Sequence, residues 1–484
     1  MPFVDANSEL APLMFQMKQY KNLTKSTIEI LPSSGQTSYG PNQKCIFTLP
    51  YASLISLEDL ALHFNFAGHN IPTTATDGID SLRVTAPKDV ASLIREIDIK
   101  INGQTIQHLT RYNDIVNLLN LFEDGKTAKK LLQGFDVNKY SYKTTSGQYT
   151  TVKDTNYIGA ENANNVPRKY VINNWYGLLG HRGDEVSSNF IDTNMLGEVT
   201  IAFTFATAAT CIQHKETAGA EAKKTKPGTG TGDSTVTSEL ATAHGKKTET
   251  YQLSDLKMSM VRYNLPMEYS EALRSNLSSG TKYQIAFNHY EIHSQLAGQN
   301  SGTIRWNENS RDIKGLLAFF SSSKRDDEVI PSDYSEPVES SSYFRYDNPL
   351  HLNSQFQIGS VKMPQNVLDS TDCFLELKRA VEGVKGQNIE FFNKLETVEQ
   401  WMDSYFMAYL SLEMTEGMDT VANGGKKLLS GLSSEQLPIS CSYTYNNDSG
   451  TFSTGYTWNK NVNVMTLSTR MLVIENGQNC YLEI

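Results

Sequence analysis

The feature that most constrains this chain is a two-residue alternation of apolar and polar side chains that returns in one short run after another. In REIDIKI, Ile97, Ile99 and Ile101 alternate with Asp98 and Lys100, the period of a strand with one buried face. Asn102-Gly103 follows at once, and an extended pattern resumes from Gln104 to Leu109. An Asn-Gly pair between alternating runs marks a hairpin, because a type I′ turn needs positive φ at both central residues. The same pattern runs through Cys45, Phe47 and Leu49, through Leu62, Phe64 and Phe66, and through Val199, Ile201, Phe203 and Phe205. Another strand is expected over 251–263.

The second half of the chain repeats this layout. Tyr283, Ile285 and Phe287 alternate, and Tyr290 and Ile292 continue after a one-residue slip at His289, which is expected to be a bulge. Strands are expected at 312–320, 355–362 and 371–379, the last with Cys373, Leu375 and Leu377 on one face. Residues 399–414 fit a helix or a strand. Ile439, Cys441, Tyr443 and Tyr445 alternate, and strands at 462–474 and 479–484 flank Asn476-Gly477. Helical spacing is found at Ile115, Leu118, Leu119 and Phe122, ending at Asp124-Gly125, in one short helix within 264–279, and in the arm, where Leu10, Met14 and Phe15 fit one face of a short helix.

At 484 residues the chain is too long for one core. Two successive sets of strands predict tandem β-sandwiches with short helices in their loops. The expected division is an N-terminal arm at 1–24, a first sandwich at 25–264 and a second at 265–484. Residues 213–247 interrupt the first sandwich with a polar, Gly/Thr/Lys-rich excursion that has little to bury.

The charge and the motifs narrow the function. The net charge is −10 and no lysine/arginine block exists, whereas binding a phosphate backbone needs a concentrated basic surface. Direct sequence-specific nucleic-acid binding is therefore not expected. The five cysteines are odd in number, far apart and without a CxxC pair, which predicts buried thiols rather than a disulfide framework or a zinc site. Gly125-Lys126-Thr127 ends like a phosphate-binding loop, but Asn120 stands where its first glycine is required, and Leu240 fails in the same way before Gly245-Lys246. There is no HExxH, no GxSxG and no EF-hand loop. Asp326-Asp327 and Glu123-Asp124 read as solvated turns. His289 and His293 are four apart, which on a strand spans about 13 Å and is too far for one metal. No catalytic, cofactor-binding or metal-binding residue is assigned, and the chain is not expected to be an enzyme. Its first residues lack a basic n-region and an apolar h-region, and no run approaches the ~20 apolar residues of a spanning helix, so synthesis in the cytosol is expected. Arg182-Gly183-Asp184 matches an integrin-binding tripeptide, but three residues recur often by chance and an ordinary turn is the better reading.

In order, the chain carries an N-terminal arm, KCIFTLPYASLISLEDLALHFNF, REIDIKINGQTI, a helix from RYNDIVNLLN, LGEVTIAFTFA, SQFQIGSVKMPQNVL, LLSGLSSEQLPISCSYTY and a terminal strand pair. This order resembles the double jelly-roll major capsid proteins of polinton-like viruses and virophages, within the adenovirus-like lineage. The resemblance covers nearly the whole chain. It implies two eight-stranded jelly rolls, a homotrimeric capsomer of pseudo-hexagonal outline, and an icosahedral virion enclosing double-stranded DNA. Its partners would be neighbouring capsomers and penton and minor capsid proteins, with the arm lying inward against minor proteins or an internal membrane. A host-binding lectin-like or spike β-sandwich protein is the alternative that the residues leave open.

Overall fold

The computed structural model describes residues 24–51, 53–69, 82–87, 89–121, 132–133, 141–143, 149–151, 157–158, 167–180, 190–214, 250–264, 271, 275, 278–280, 282–298, 300–310, 312–322, 346, 348–385, 405–412, 431–433, 439–447, 460–475 and 479–483. The arm before residue 24, nearly all of the excursion, the tripeptide Arg182-Gly183-Asp184, the Asp124-Gly125 helix stop and the Asn476-Gly477 turn lie outside these residues.

Two principal sheets of the first half are built on β1 (Thr24–Ile30), β2 (Lys44–Thr48), β3 (Leu54–His69), β4 (Ile94–Ile101), β5 (Gln104–Leu109), β6 (Arg168–Ile172), β7 (Val199–Phe205) and β8 (Thr250–Asn264). The short strands Ser38–Tyr39 and Phe190–Asp192 add to β8 and β3, and two small sheets join Leu82–Thr85 to Tyr157–Ile158 and Ile212–His214, and Ser141–Lys143 to Tyr149–Thr151. One sheet runs β1-β8-β3-β6 and the other β2-β7-β4-β5, with antiparallel pairing throughout. The alternation seen in the sequence is the inward row. Phe47, Leu62, Phe64, Phe66, Ile97, Ile99, Ile101, Ile201 and Phe203 are all buried, and Trp175 stacks on Phe203 with its indole N–H on the Leu60 carbonyl.

The second half has β9 (Tyr283–Leu296), β10 (Ser301–Glu308), β11 (Asp312–Ser322), β12 (His351–Ile358), β13 (Val361–Leu368), β14 (Met407–Ser411), β15 (Ile439–Asn447) and β16 (Lys460–Glu475). Its sheets run β9-β16-β11-β14 and β10-β15-β12-β13, the same permutation moved on by eight strands. A last strand, β17 (Asn479–Glu483), pairs with β16. Helices fall at matching places: α1 (Tyr112–Leu121) follows β5, and α2 (Ser370–Lys385) follows β13. Among the described residues every strand pairing stays within one half. The architecture is mostly β-sheet with short helices.

Several expectations need correction. Residues 371–379 are the start of α2, not a strand. The Asp369 carboxylate accepts from the Asp372 N–H at 2.8 Å, and the Asp369 N–H returns to the Asp372 carboxylate at 3.4 Å. This reciprocal cap launches the helix. Burial then follows i, i+4 through Cys373 and Leu377, leaving Leu375 exposed. Residues 355–362 span two strands, because a turn at Gly359-Ser360, with Gly359 at φ 60°, folds β12 back onto β13. The ambiguous 399–414 stretch contributes strand β14. There is no bulge at His289, since β9 pairs with β16 in unbroken register from Tyr283 to Leu296. The apparent slip arises because Phe287, Asn288, His289 and Tyr290 are all buried, so apolar residues appear on both parities.

The β4–β5 turn is built as expected, with Asn102 at φ 48° and Gly103 at φ 82°. Asn102 also clamps the next loop: its amide donates to the Leu196 carbonyl at 2.9 Å and accepts from the Glu198 N–H at 3.0 Å. Gly197 sits between them at φ 79°, where a Cβ would collide with Asn102 Oδ1. Gly103 has open space around its own Cβ position. Gly103→Ala should therefore cost only the left-handed backbone penalty of about 1 kcal/mol. Gly197→Ala should cost at least twice that, a difference readable as the shift in urea midpoint at constant m-value.

Candidate functional site

A β-sandwich buries one face of each sheet and leaves the other to be covered. In the second half, register places Ser294 opposite Asn463 and Asn463 opposite Phe319, on one face of β9, β16 and β11. Ser294 at its edge is exposed, but Asn463 and Phe319 are buried. This face meets the first half.

Arg111 is the centre of this joint. It precedes α1 at φ 54°, a conformation uncommon for a side-chain-bearing residue, and this backbone turn directs its guanidinium across the gap. Nε donates to Asp114 Oδ2 at 2.8 Å, and Nη1 donates to Ser294 Oγ at 3.0 Å and to Asn463 Oδ1 at 2.6 Å. Asp114 has no exposed side-chain surface. Asn463 is likewise buried and donates onward to Ser321 Oγ at 2.9 Å.

Around this centre the pairing is equally specific. Gln107 accepts from the Leu178 N–H at 2.8 Å and donates to the Asn288 carbonyl at 3.3 Å. Gly177, at φ 82°, lets it do so, since a Cβ there would stand 2.6 Å from Gln107 Oε1. Lys314, buried on β11, donates to Asn288 Oδ1 at 2.7 Å. Asn117 donates to the Tyr346 hydroxyl at 2.9 Å, and the Tyr346 ring meets Phe319 edge-on at 4.9 Å. Tyr176 and Tyr290 form a T-shaped pair at 6.0 Å across the joint. Behind α1, Asn120 donates to Asp89 at 2.7 Å and accepts from the Tyr176 hydroxyl at 3.2 Å.

Helix α1 is therefore not the one-sided helix that its apolar spacing implied. Its apolar residues Ile115 and Leu118 are buried, but so are Asn113, Asp114, Asn117 and Asn120. A sequence signal was present: a solvated helix face usually carries lysine and glutamate, whereas this one carries three asparagines and an aspartate. Short amides lose little rotamer entropy when buried and give directional hydrogen bonds.

Cys45, Cys211, Cys373 and Cys441 are buried free thiols and Cys480 is half-buried, with burial pushing the first four up to about 12. Among the described residues no group of three or more His, Cys, Asp or Glu side chains could hold a metal ion. No helix among them is long and apolar enough to cross a membrane.

No family model and no curated protein matches the chain by sequence. Solved structures do match its fold. The capsid chain of PBCV-1 virus superimposes with a TM-score of 0.56 at 11% identity, covering 97% of this chain and 99% of its own. A chain of the Sputnik virophage particle superimposes with a TM-score of 0.52 at 10% identity, covering 100% of this chain and 93% of its own.

Replacing Arg111 by alanine strips the buried Asp114 of its cation and should cost about 3–5 kcal/mol. Adding Asp114→Asn to Arg111→Ala should recover part of that loss, because the buried carboxylate charge is gone. Thermal or urea unfolding of the two variants measures both effects. Taken with its repeated strand order and its match over the whole length of these two chains, the protein has the fold of the double jelly-roll major capsid proteins.

Proposed function

We propose that this chain is the major capsid protein of an icosahedral double-stranded DNA virus, a structural rather than catalytic protein. Its two halves, 25–264 and 265–484, are eight-stranded jelly rolls, preceded by an arm at 1–24. Three copies form a capsomer of pseudo-hexagonal outline that tiles the shell beside penton and minor capsid proteins. The observation that carries this reading is the strand order, 1-8-3-6 with 2-7-4-5, present twice in one chain, together with likeness to capsid chains over almost their full length.

The joint supports the trimer. Within one chain, β5 and α1 of the first half cover the outer face of the second half's sheet. The counterparts of β5 and α1 in the second half are β13 and α2. Val361, Val367 and Leu375 on these elements are 51%, 50% and 42% exposed, which is high for apolar side chains so close together in sequence. The matching outer face of the first half is also open to a partner, with His63, Ser259, Lys257 and Glu29 bonded across its surface. A contact that joins the second half of one copy to the first half of the next is heterologous, and such contacts close into a ring when the rotation permits. With two sandwiches per chain, closure at three chains would give the six-lobed outline.

Negative-stain microscopy and mass photometry of the full-length protein should give trimers with six lobes. The double variant Val367→Glu/Leu375→Glu should remain folded, with its melting temperature unchanged within a few degrees, because both side chains are exposed, yet should run as a monomer. A wild-type protein that stays monomeric and never forms hexagonal tiles or shells would overturn the reading.

A further inference from the structure

The helices α1 and α2 follow corresponding strands and can be compared position by position. Arg111 stands immediately before α1, with Asp114 its third residue and Asn117 its sixth. Asp369, Asp372 and Leu375 hold the same places before and within α2. In the first half these positions make the joint, through Arg111 on Ser294 and Asn463 and through Asn117 on Tyr346. In the second half all three are exposed. The inward faces correspond as well, since Ile115 is buried and so is Cys373 at the matching place. Helix α2 therefore presents, uncovered, the face with which α1 joins two sandwiches.

The two faces differ in sign. That of α1 carries a guanidinium to the neutral groups of Ser294 and Asn463. That of α2 carries the carboxylates of Asp369 and Asp372, with the apolar Leu375 and Val367 beside them. Lys378 lies nearly two turns further along the helix.

The outer face of the first half has the opposite character. Val171, His63 and Lys257 form one cross-strand row, and Lys169 lies two residues from Val171 along β6. Glu29 and Asp255 are held by Lys257 and Asn65. Lys169 is exposed and forms no ion pair among the described residues. His63 feels the local charge: burial first, then Lys169 and Lys257, holds its pKa below the ordinary value, against the pull of Glu29. Leu31, just beyond β1, is 74% exposed, and Val171 is half-buried. This surface offers cations with apolar side chains among them, where α2 offers carboxylates with apolar side chains among them.

Resting on the capsomer reading above, we propose that the joint between copies is keyed by charge: Asp369 and Asp372 of one copy dock against Lys169 and Lys257 of the next. The reversal of sign keeps the two kinds of joint apart. A first-half helix docking on another copy's first half would set Arg111 against Lys169 and Lys257, a like-charge contact that disfavours the wrong partner. The two joints also differ in their response to salt. The Asp114 side chain is buried against Arg111 and is weakly screened. The carboxylates on α2 and the ammonium of Lys169 approach each other through water, where screening acts over about 8 Å at physiological ionic strength.

Mass photometry of the full-length protein at about 50 mM and about 500 mM sodium chloride tests the key. Surface ion pairs are individually weak, but these recur at every joint between copies. Trimer dissociation of the wild type should therefore rise at least about tenfold at the higher salt. Asp369→Asn/Asp372→Asn should show a rise of similar size already at the lower salt, and little further response. Its melting temperature should stay within a few degrees of wild type, because asparagine caps a helix as aspartate does and both positions are exposed. Asp372→Lys and Lys169→Glu should each weaken the trimer, and the two combined in one chain should restore most of it. Trimers that form equally well in the asparagine variant at both salts would sink the key and leave the capsomer standing. A combined chain no better than its single variants would do the same. A wild type that is monomeric at both salts would remove the capsomer and the key together.

Discussion

The outer face of the sheet formed by β9, β16 and β11 is closed by a helix whose polar side chains are matched to it individually, and the placement of the two halves depends on that match. Each half can complete its own interior from the alternation of its strands. Neither can specify by itself how it stands against the other. The guanidinium of Arg111, reaching Ser294 and Asn463 while held by Asp114, supplies that missing specification.

An apolar joint would bury more surface and stabilise about as well, since burying charge costs solvation that pairing only partly returns. Its weakness would be latitude: apolar faces slide and rotate past one another at little cost. Hydrogen bonds restrict distance and direction together. Gln107, Asn117, Arg111 and Lys314 each bridge or brace the joint at a different height along β9, β11 and α1, so the angle between the halves is pinned at several points. In the proposed ring of six sandwiches an angular error would repeat at every joint, and closure would fail as the errors added. A polar joint is the physical means of keeping that error small.

How much of this was legible in the sequence depended on whether the signal was local. The Ile97/Ile99/Ile101 row, Asn102-Gly103 and the Leu62/Phe64/Phe66 face were readable because alternation and turn chemistry act over a few residues. The start of α2 was misread because Cys373, Leu375 and Leu377 satisfy a strand pattern as well as an i, i+4 helix pattern. Asp369 and Asp372 break the tie, and their cap is visible in DSTDCFLELK once asked for. His289 was misread for the opposite reason. No local rule tells a strand that its second face will be buried by another domain, so a residue lying between two buried faces looked like a fault in the pattern. The joint itself was invisible, because Arg111 and Asn463 are brought together only by the fold.

The low identity to the matching capsid chains, 10–11% over almost the whole length, fits this division of labour. A sandwich needs the alternation, the turns and the permuted order of strands, and many sequences supply those. The contacts that set the angle between halves need particular side chains at particular positions, and they can be replaced only as a set. In the proposed capsid role, specific function would reside in the orientation of faces. The residues that would set those orientations are at the joints between sandwiches, within a chain at Arg111 and, as proposed, between copies at Val367 and Leu375. The buried Asp114 and its Arg111 partner, bonded on to Ser294 and Asn463, make the first of these joints one of matched polar groups.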